Sequence, residues 1–412
     1  MSAELFTPSW LMALAAVLLV LQLPPLLVLL SRLLQGPGRR PPLQPQSATP
    51  DQLGSVSIVV PTLNEAHRIG PCLAGLSRQG YEVREIIVVD SRSTDGTPDL
   101  VKQAATRDPR FRLVTDDPLP PGWVGRPWAL HTGFLHSSEH SQWILGVDAD
   151  TQPQPGLVAS LLRSATAEQY DLVSLAPQFI LKTPGELWLQ PALLMTLVYR
   201  FGPAGATAAG AERVMANGQC FLCRRSVLQQ LGGYTAAQSS FCDDVTLARH
   251  AAAQGARVGF WDGAQLLKVR MYEGMAETWR EWGRSLDLKD AATPGQVWWD
   301  LWYLAAVQAM PWLVLPVLLI LAGLRLSLNG PLQGLLGVNL GLIAVRFALQ
   351  AAIRPSYDFK QTQSRWVFWL SPLADVLAVL RIGLSSTRQP TQWRGRQYTP
   401  KLSADLPGDL SR

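Results

Sequence analysis

Hydrophobic and polar positions divide the chain into three regimes. Residues 10–30 are almost wholly apolar, broken by Gln22 and the Pro24-Pro25 pair. As a helix kinked at those prolines, the stretch is long enough to cross a hydrocarbon layer of roughly 30 Å. From 56 to about 263, short apolar runs such as VSIVVP, EIIVVD, WILGVD and DLVSLAP alternate with helix-like stretches. That alternation predicts an α/β domain with a mostly parallel sheet and helices on both faces. Ligands of such sheets gather at the carboxyl ends of the strands.

Beyond residue 290 the chain turns apolar again. Residues 301–324 and 332–353 read as two spans, with Arg346 of the second expected to snorkel to the interface beside Arg354. Residues 366–384 contain Pro372, Asp375 and Arg381, and a basic tail follows (Arg388, Arg394, Arg396, Lys401). A full crossing there would put the tail outside, against the positive-inside rule, so a re-entrant or interfacial segment is expected. The first span has Glu4 before it and Arg32, Arg39 and Arg40 after it. This charge order predicts an anchor, not a cleaved signal, with the following domain on the cytoplasmic side.

The boundaries that result are an anchor with a Pro-rich linker (1–54), an α/β domain (55–290) and a C-terminal membrane region (291–412). Composition agrees with a globular domain joined to membrane segments. Charged residues are 16% of the 412, hydrophobic residues 48%, and tryptophans number 15, against roughly 25% charged for an average soluble domain. The net charge of +5 is spread along the chain, and no basic run is dense enough to argue for nucleic acid. Cys220 and Cys223 form a C-x-x-C pair with no second pair or paired histidine after it. Small buried thiols in a reducing compartment are the expectation.

Chemistry enters at the strand ends. Glu65 follows the first strand, in VVPTLNE. Asp90 ends the second, in IIVVDSRSTDGT, where Ser93, Thr94, Asp95 and Gly96 equally suit a helix cap and turn. The run ILGVDADTQP carries Asp148 and Asp150 to the end of a third strand. In extended backbone, side chains two apart share a face, and two such carboxylates need a cation. Mg²⁺ or Mn²⁺ suits hard oxygen ligands, its shell completed by water and substrate phosphates. Finally, Asp243 and Asp244 open a helix that should stop at Gly255. They are either helix-dipole partners or a base for an incoming hydroxyl.

Taken in order, Pro-Thr-x-Asn-Glu, Asp-x-x-Ser-Thr-Asp-Gly-Thr, Asp-Ala-Asp and the Asp-Asp helix start resemble the family 2 glycosyltransferases of GT-A fold, over roughly residues 55–290. The resemblance implies a nucleotide-sugar donor and an inverting single displacement. It implies that Pro61, Glu65, Asp90 and Ser93 contact the nucleotide. Asp148 would lie at the ribose and metal, Asp150 would ligate the metal, and Asp244, or its neighbour Asp243, would be the base. Arg126 in GWVGRPWALHTG stands where the family commonly has Lys and would meet the diphosphate, as would Arg280 or Arg284 of TWREWGRSLDLKD. His131 in the same stretch as Arg126 reads as structural. Asp90-Ser91-Arg92-Ser93 departs from the family's Asp-Asp-Gly-Ser, and the Gln-x-x-Arg-Trp signature of processive synthases is missing.

Between the paired aspartates and Asp243, ELWLQPALLMTLVYRF (186–201) suits an ordinary core helix or, beside an anchored domain, a helix lying in the membrane interface, and GPAGATAAGAE beside it suits a flexible lid. The whole arrangement, with its WRGRQY tail, resembles a bacterial membrane subgroup that glycosylates carotenoids or is associated with hopanoids. It implies a lipid-like acceptor, with a carotenoid, such as the 2′-hydroxyl of myxol in cyanobacteria, as the favoured one. The alternatives are a polyprenyl-phosphate or hopanoid/glycolipid acceptor, and a membrane scaffold that binds nucleotide-sugar without turnover.

Overall fold

The computed structural model describes residues 8–282, 286, 288–324, 328–362, 364–387, 392–393 and 396–397. Arg284 and the tail residues Arg388, Arg394 and Lys401 lie outside them. Chain order begins with helix α1 (Ser9–Gln35), which is followed by the Pro-rich linker. The α/β domain then runs β1 (Val56–Thr62), α2 (Ile69–Ser77), β2 (Val83–Asp90), α3 (Thr97–Arg107), β3 (Phe111–Thr115), α4 (Gly125–His136), β4 (Trp143–Val147), β5 (Thr151–Pro153) and α5 (Leu157–Ala167). It continues with β6 (Leu172–Ala176), β7 (Gln178–Ile180), α6 (Pro184–Phe201), β8 (Cys220–Arg224), α7 (Arg225–Gln230), α8 (Asp243–Ala253), β9 (Val258–Asp262), β10 (Leu267–Val269) and α9 (Gly274–Glu281). The helices α10 (Pro294–Leu304), α11 (Met310–Gly323), α12 (Pro331–Ala352) and α13 (Asp375–Ser386) follow, with β11 (Tyr357–Asp358) between the last two.

Seven strands form the main sheet in the order β3-β2-β1-β4-β8-β6-β9, parallel throughout except for β8. Both faces are covered, and the strands' period of two distributes their side chains between two cores. Ile58, Val60, Ile86, Val88, Leu145 and Leu222 pack against α2, α3 and α5. Val59, Ile87, Val89, Ile144 and Phe221 pack against α4 and α8. Pro61 is tolerated inside β1 because pairing with β4 stops at Val59. The same alternation settles the C-x-x-C pair. Cys220 and Cys223 are three apart on β8, so they enter opposite cores, and all four cysteines are buried free thiols.

A second sheet, β11-β7-β10-β5, borders the first. Its β5 begins directly after Asp150, and antiparallel pairing with β10 fixes the exit of the Asp-x-Asp turn (Thr151 opposite Val269). Gly255 ends α8 as expected. At φ +90° it lets Ala256 N–H reach Ala251 O (3.0 Å) and its own N–H reach Ala252 O (3.0 Å), a Schellman closure.

Among the described residues, four helical stretches are long and apolar enough to cross a membrane: Ser9–Gly38, Pro294–Gly323, Pro331–Ala352 and Arg365–Ser386. The second contains a π-helical turn at Ala305–Ala309. The last is broken: a 3₁₀ stretch Arg365–Ala374 precedes α13. Arg346 does not snorkel. It is 2% exposed, and Asp375 of α13 accepts from its Nε (2.7 Å) and Nη2 (3.1 Å), with Gln350 taking Nη1 (2.7 Å). A buried carboxylate is a better partner for it than a distant interface.

Helix α6 takes the core setting and not the interfacial one. Leu187, Leu189, Leu193, Met195 and Tyr199 are buried in a third core, with α13, the 365–374 stretch and the π-turn packed around them. A helix apolar on all sides is enclosed, not laid in an interface. Thr183 and Glu186 close its N-terminus as a capping box, and Glu186 Oε1 also accepts from Gly274 N–H (2.8 Å), tying α6 to α9. The 202–210 loop beyond it is held at Gly205, which bonds Phe260 O (2.7 Å) and accepts from Arg40 N–H (2.9 Å).

Candidate active site

The carboxyl edge of the main sheet collects the polar motifs. Asp90 is the last residue of β2, beside Thr62 at the end of β1. Its Oδ1 accepts from Thr62 Oγ1 (3.1 Å) and its Oδ2 from Ser93 N–H (2.9 Å). The loops after β1 and β2 are then sewn together. Ser93 Oγ accepts from Asn64 N–H (2.8 Å), Asp95 from Ala66 N–H (2.9 Å), and Thr97 Oγ1 from the N–H of buried Glu65 (2.9 Å). The Ser/Thr/Asp residues therefore build the rim of the cleft, and Pro61 lies just behind it in β1.

Asp148 and Asp150 are not on one extended strand. The strand β4 ends at Val147, and Asp148 O accepts from Thr151 N–H (3.2 Å) in a turn. The turn sends Asp148 toward α4, where its Oδ1 accepts from Arg126 Nε (3.0 Å) and Nη2 (2.9 Å). Arg126 also donates Nη2 to Gly218 O (2.8 Å) and is ion-paired through Nη1 with Asp243. The cation that the sequence demanded between carboxylates is thus partly this guanidinium. It joins the ends of β4, α4, the 217–219 loop and α8.

The acidic groups retain unusual basicity. Burial pushes the Asp148 carboxyl above the usual range, against the pull of Arg126. Asp150 is pushed up to about 7 by burial and by the Asp148 charge, with Arg68 pulling it down. Asp244 is pushed up to about 6 by burial and by Asp243. Asp244 Oδ2 accepts from Gly218 N–H (2.6 Å) and Oδ1 from Val245 N–H (2.9 Å). Asp243 and Asp244 line a small cavity with Arg126, Leu130, Phe221 and Tyr234.

Three residues at this edge fall outside the motifs read in the sequence. Gly218 bonds Asp244 and Arg126 at once, and a Cβ there would lie 2.3 Å from Arg126 Nη2. Gln219 O accepts from Asp148 N–H (3.3 Å). Arg68 is the cation that pulls hardest on the Asp150 carboxylate, and it is held by Glu277 (3.0 Å) and Met271 O (3.3 Å). A glycine before the run CFLC is the one visible hint among them. Arg280 stands elsewhere, on α9, turned to solvent and paired with Glu281 (3.0 Å). His131 has a structural setting: its ring stacks on Trp128, and its Nδ1 accepts from Tyr234 N–H (3.3 Å).

Whether the edge fits a divalent cation is a question of donor chemistry. Asp148 and Asp150 bring hard oxygen donors to one turn, and no group of three metal-binding side chains forms among the described residues. That set suits an ion sharing its shell with a phosphorylated ligand, and not a closed protein cage.

Comparison with known proteins agrees with this geometry. Residues 57–232 match the family model of glycosyl transferase family 2. A 4,4′-diaponeurosporenoate glycosyltransferase of Staphylococcus haemolyticus is 24% identical over 241 residues, 58% of this chain and 63% of that protein. A probable glycosyltransferase, YdaM, of Bacillus subtilis is 24% identical over 57% of this chain and 54% of its own length. The match thus spans less than two thirds of these curated relatives. A mannosyltransferase from Pyrobaculum calidifontis, solved with GDP-Man and Mn²⁺, is similar in fold at a TM-score of 0.52 and 22% identity, covering 92% of this chain and all of that one. Motif order, sheet topology and family match agree: residues 57–232 are similar to glycosyl transferase family 2 and are built on a GT-A Rossmann-like fold.

Proposed function

We propose that this chain moves a sugar from a nucleotide-sugar to a hydroxyl of a membrane lipid, with inversion at the anomeric carbon. The observation that carries the reading is the convergence of Asp90, Asp148, Asp150 and Asp244 on one sheet edge beside a buried, apolar helical region. Asp90 and the rim of Pro61, Glu65 and Ser93 receive the base and ribose. Asp148 and Asp150 hold Mg²⁺ or Mn²⁺, which when bound supplies positive charge to the diphosphate. Arg126 adds a fixed cation there.

Asp244 is the base. Asp243 is neutralised by Arg126, whereas Asp244 accepts only from backbone N–H groups and has a basicity near working pH. Asp244 takes the acceptor's proton as that oxygen bonds the anomeric carbon. The bond to the diphosphate breaks, and the nucleoside diphosphate leaves with the electron pair.

The favoured acceptor is a carotenoid. The staphylococcal relatives named for diaponeurosporenoate support a lipid-like acceptor, the four apolar helical stretches among the described residues support an integral membrane chain, and the basic residues after the first stretch support a catalytic domain facing the cytoplasm. A relative from Trichomonas vaginalis named dolichyl-phosphate beta-glucosyltransferase, 38% identical over 23% of this chain and 28% of its own, supports polyprenyl phosphate as the second reading. The test incubates membranes holding the chain with labelled nucleotide-sugars, Mn²⁺ or Mg²⁺ and a pigmented lipid extract, using Asp244→Asn membranes as blank. Label in a pigment is expected. Label only in polyprenyl phosphate overturns the carotenoid acceptor. No label despite donor binding overturns catalysis in favour of a scaffold. Asp150→Asn is expected to abolish both transfer and metal-dependent donor binding.

A further inference from the structure

By length and composition, Arg365–Ser386 is one of the four stretches able to cross a bilayer. Crossing roughly 30 Å of hydrocarbon requires the two ends of a segment to lie on opposite faces. Here both ends are fastened to the α/β domain. Before the segment, β11 pairs with β7, Asp358 accepts from Lys268 Nζ (2.6 Å), and Thr362 Oγ1 donates to Leu181 O just past β7. At its far end, Arg381 Nε donates to Trp279 O of α9 (2.7 Å), and Ser385 O accepts from Lys289 Nζ (2.7 Å). The next residue, Asp290, accepts from Phe241 N–H (2.7 Å), two residues before the Asp243 that opens α8.

Between these ends the segment bonds to α12 through Asp375, which takes Arg346, and through Phe368 O, which takes Gln350 Nε2 (2.7 Å). Arg346 and Gln350 both lie in the last two turns of α12. The segment therefore runs beside the end of α12 nearest the α/β domain.

Its polarity is the reverse of a helix that faces water. Ser371, Asp375 and Ser385 are buried, whereas every exposed side chain from 366 to 384 is Trp or Leu. Trp366, Trp369, Leu373, Leu377, Leu380 and Leu384 follow one another at steps of three or four residues and form one stripe, with Trp366 65% and Leu373 52% exposed. A helix on a soluble domain keeps polar residues on its outer side. The candidate spans α11 and α12 pack beside the segment and also expose apolar side chains, among them Leu313, Ile320 and Phe347. Acyl chains suit such a face, and tryptophans at its start suit the boundary with water.

We propose that Arg365–Ser386 does not cross the membrane but lies in the leaflet next to the α/β domain, with its Trp/Leu stripe against lipid. The proposal rests on the membrane reading given above and adds where lipid meets the chain: on a segment bolted, through Lys289 and Asp290, to the start of α8. It also keeps the basic tail on the side of the α/β domain, in accord with the charge rule.

The test uses the full chain in sealed vesicles with single cysteines added, the four native thiols being buried. Lys102→Cys on α3 marks the face of the α/β domain, and Asn329→Cys between α11 and α12 marks the opposite face. A membrane-impermeant maleimide is expected to label Gln361→Cys and Thr387→Cys from the same face as Lys102→Cys, at least tenfold faster than it labels Asn329→Cys. In separate chains, Leu373→Cys and Leu380→Cys carry a fluorophore. Lipids with a nitroxide near the head group should quench it more strongly than lipids with one near the acyl terminus.

Thr387→Cys labelled with Asn329→Cys, from the face opposite Gln361→Cys, shows a crossing and overturns the proposal while the membrane reading stands. All four sites labelled from one face overturn the membrane reading and the proposal with it. Same-face labelling of Gln361→Cys and Thr387→Cys without lipid quenching overturns the lipid-facing stripe. Stronger quenching from the acyl terminus overturns the shallow placement. If one fluorescent variant does not insert, the other decides by the same criteria.

Discussion

Replacing Arg126 with Met keeps the aliphatic stem and removes the charge. The change strands Asp148 and Asp243, whose side chains are 26% and 6% exposed, and leaves Gly218 O without its 2.8 Å donor. Breaking a buried ion pair from one side costs about 3–5 kcal/mol. The partial exposure of Asp148 places this case at the low end, about 3 kcal/mol. In a domain of this size, 1 kcal/mol moves Tm by roughly 2–4 °C, so a fall of roughly 6–12 °C is expected. The sign with pH follows from proton binding. Burial already raises the Asp148 carboxyl against the pull of Arg126, so without the guanidinium the folded state holds that proton more tightly than the unfolded chain does, and stability falls as pH rises. The deficit should therefore be largest near pH 8 and shrink toward pH 5. Unfolding of the detergent-solubilised parent and variant at both pH values measures it. A variant within about 2 °C of the parent at pH 8, or a deficit that grows on acidification, would refute a guanidinium held as counter-ion to two carboxylates.

Gly218→Ala should cut transfer at least tenfold under donor saturation, because its Cβ must displace Arg126 Nη2 from 2.3 Å; unchanged turnover would deny the 217–219 loop its positioning role. If Asp244 is the base, kcat/KM should rise about tenfold per pH unit below about 6 and level above it, since the carboxylate must lose its proton to act. A profile flat from pH 5 to 8 would exclude it. In the C-terminal apolar helices, Asp375→Leu leaves Arg346 buried without its carboxylate and should abolish recovery of folded protein, while adding Arg346→Leu should restore much of it. Equal recovery from the single and double variants would show that the pair is not coupled.

Much of the sheet was legible because its strands are buried on both faces, so VSIVVP, EIIVVD and WILGVD stand out as apolar runs bounded by turn residues. Local chemistry was legible too. Gly255 stops α8 because a left-handed position favours glycine, and the Asp-Asp helix start is visible as a charged pair after a turn. The family match over 57–232 covers the first three of the ordered motifs, and the Asp-Asp helix start lies beyond it.

Other features depended on distant partners. Arg126 meets Asp243 across 117 residues and Gly218 across 92, and no local pattern encodes which carboxylates a guanidinium will find. The Asp-x-Asp pair obeys a turn instead of a strand because pairing of β5 with β10 bends the chain directly after Asp150. Likewise, α6 is apolar enough for a membrane surface or a core, and only the packing of α13 and the 365–374 stretch around it decided between them. Arg346 looked like an interfacial residue until Asp375 came to lie beside it. Sequence by itself determined the elements whose signals are local: periodicity, caps and the order of strand-end motifs. Tertiary structure decided where each charge found its counter-charge, because burial makes that pairing obligatory while leaving the partner's place in the chain free.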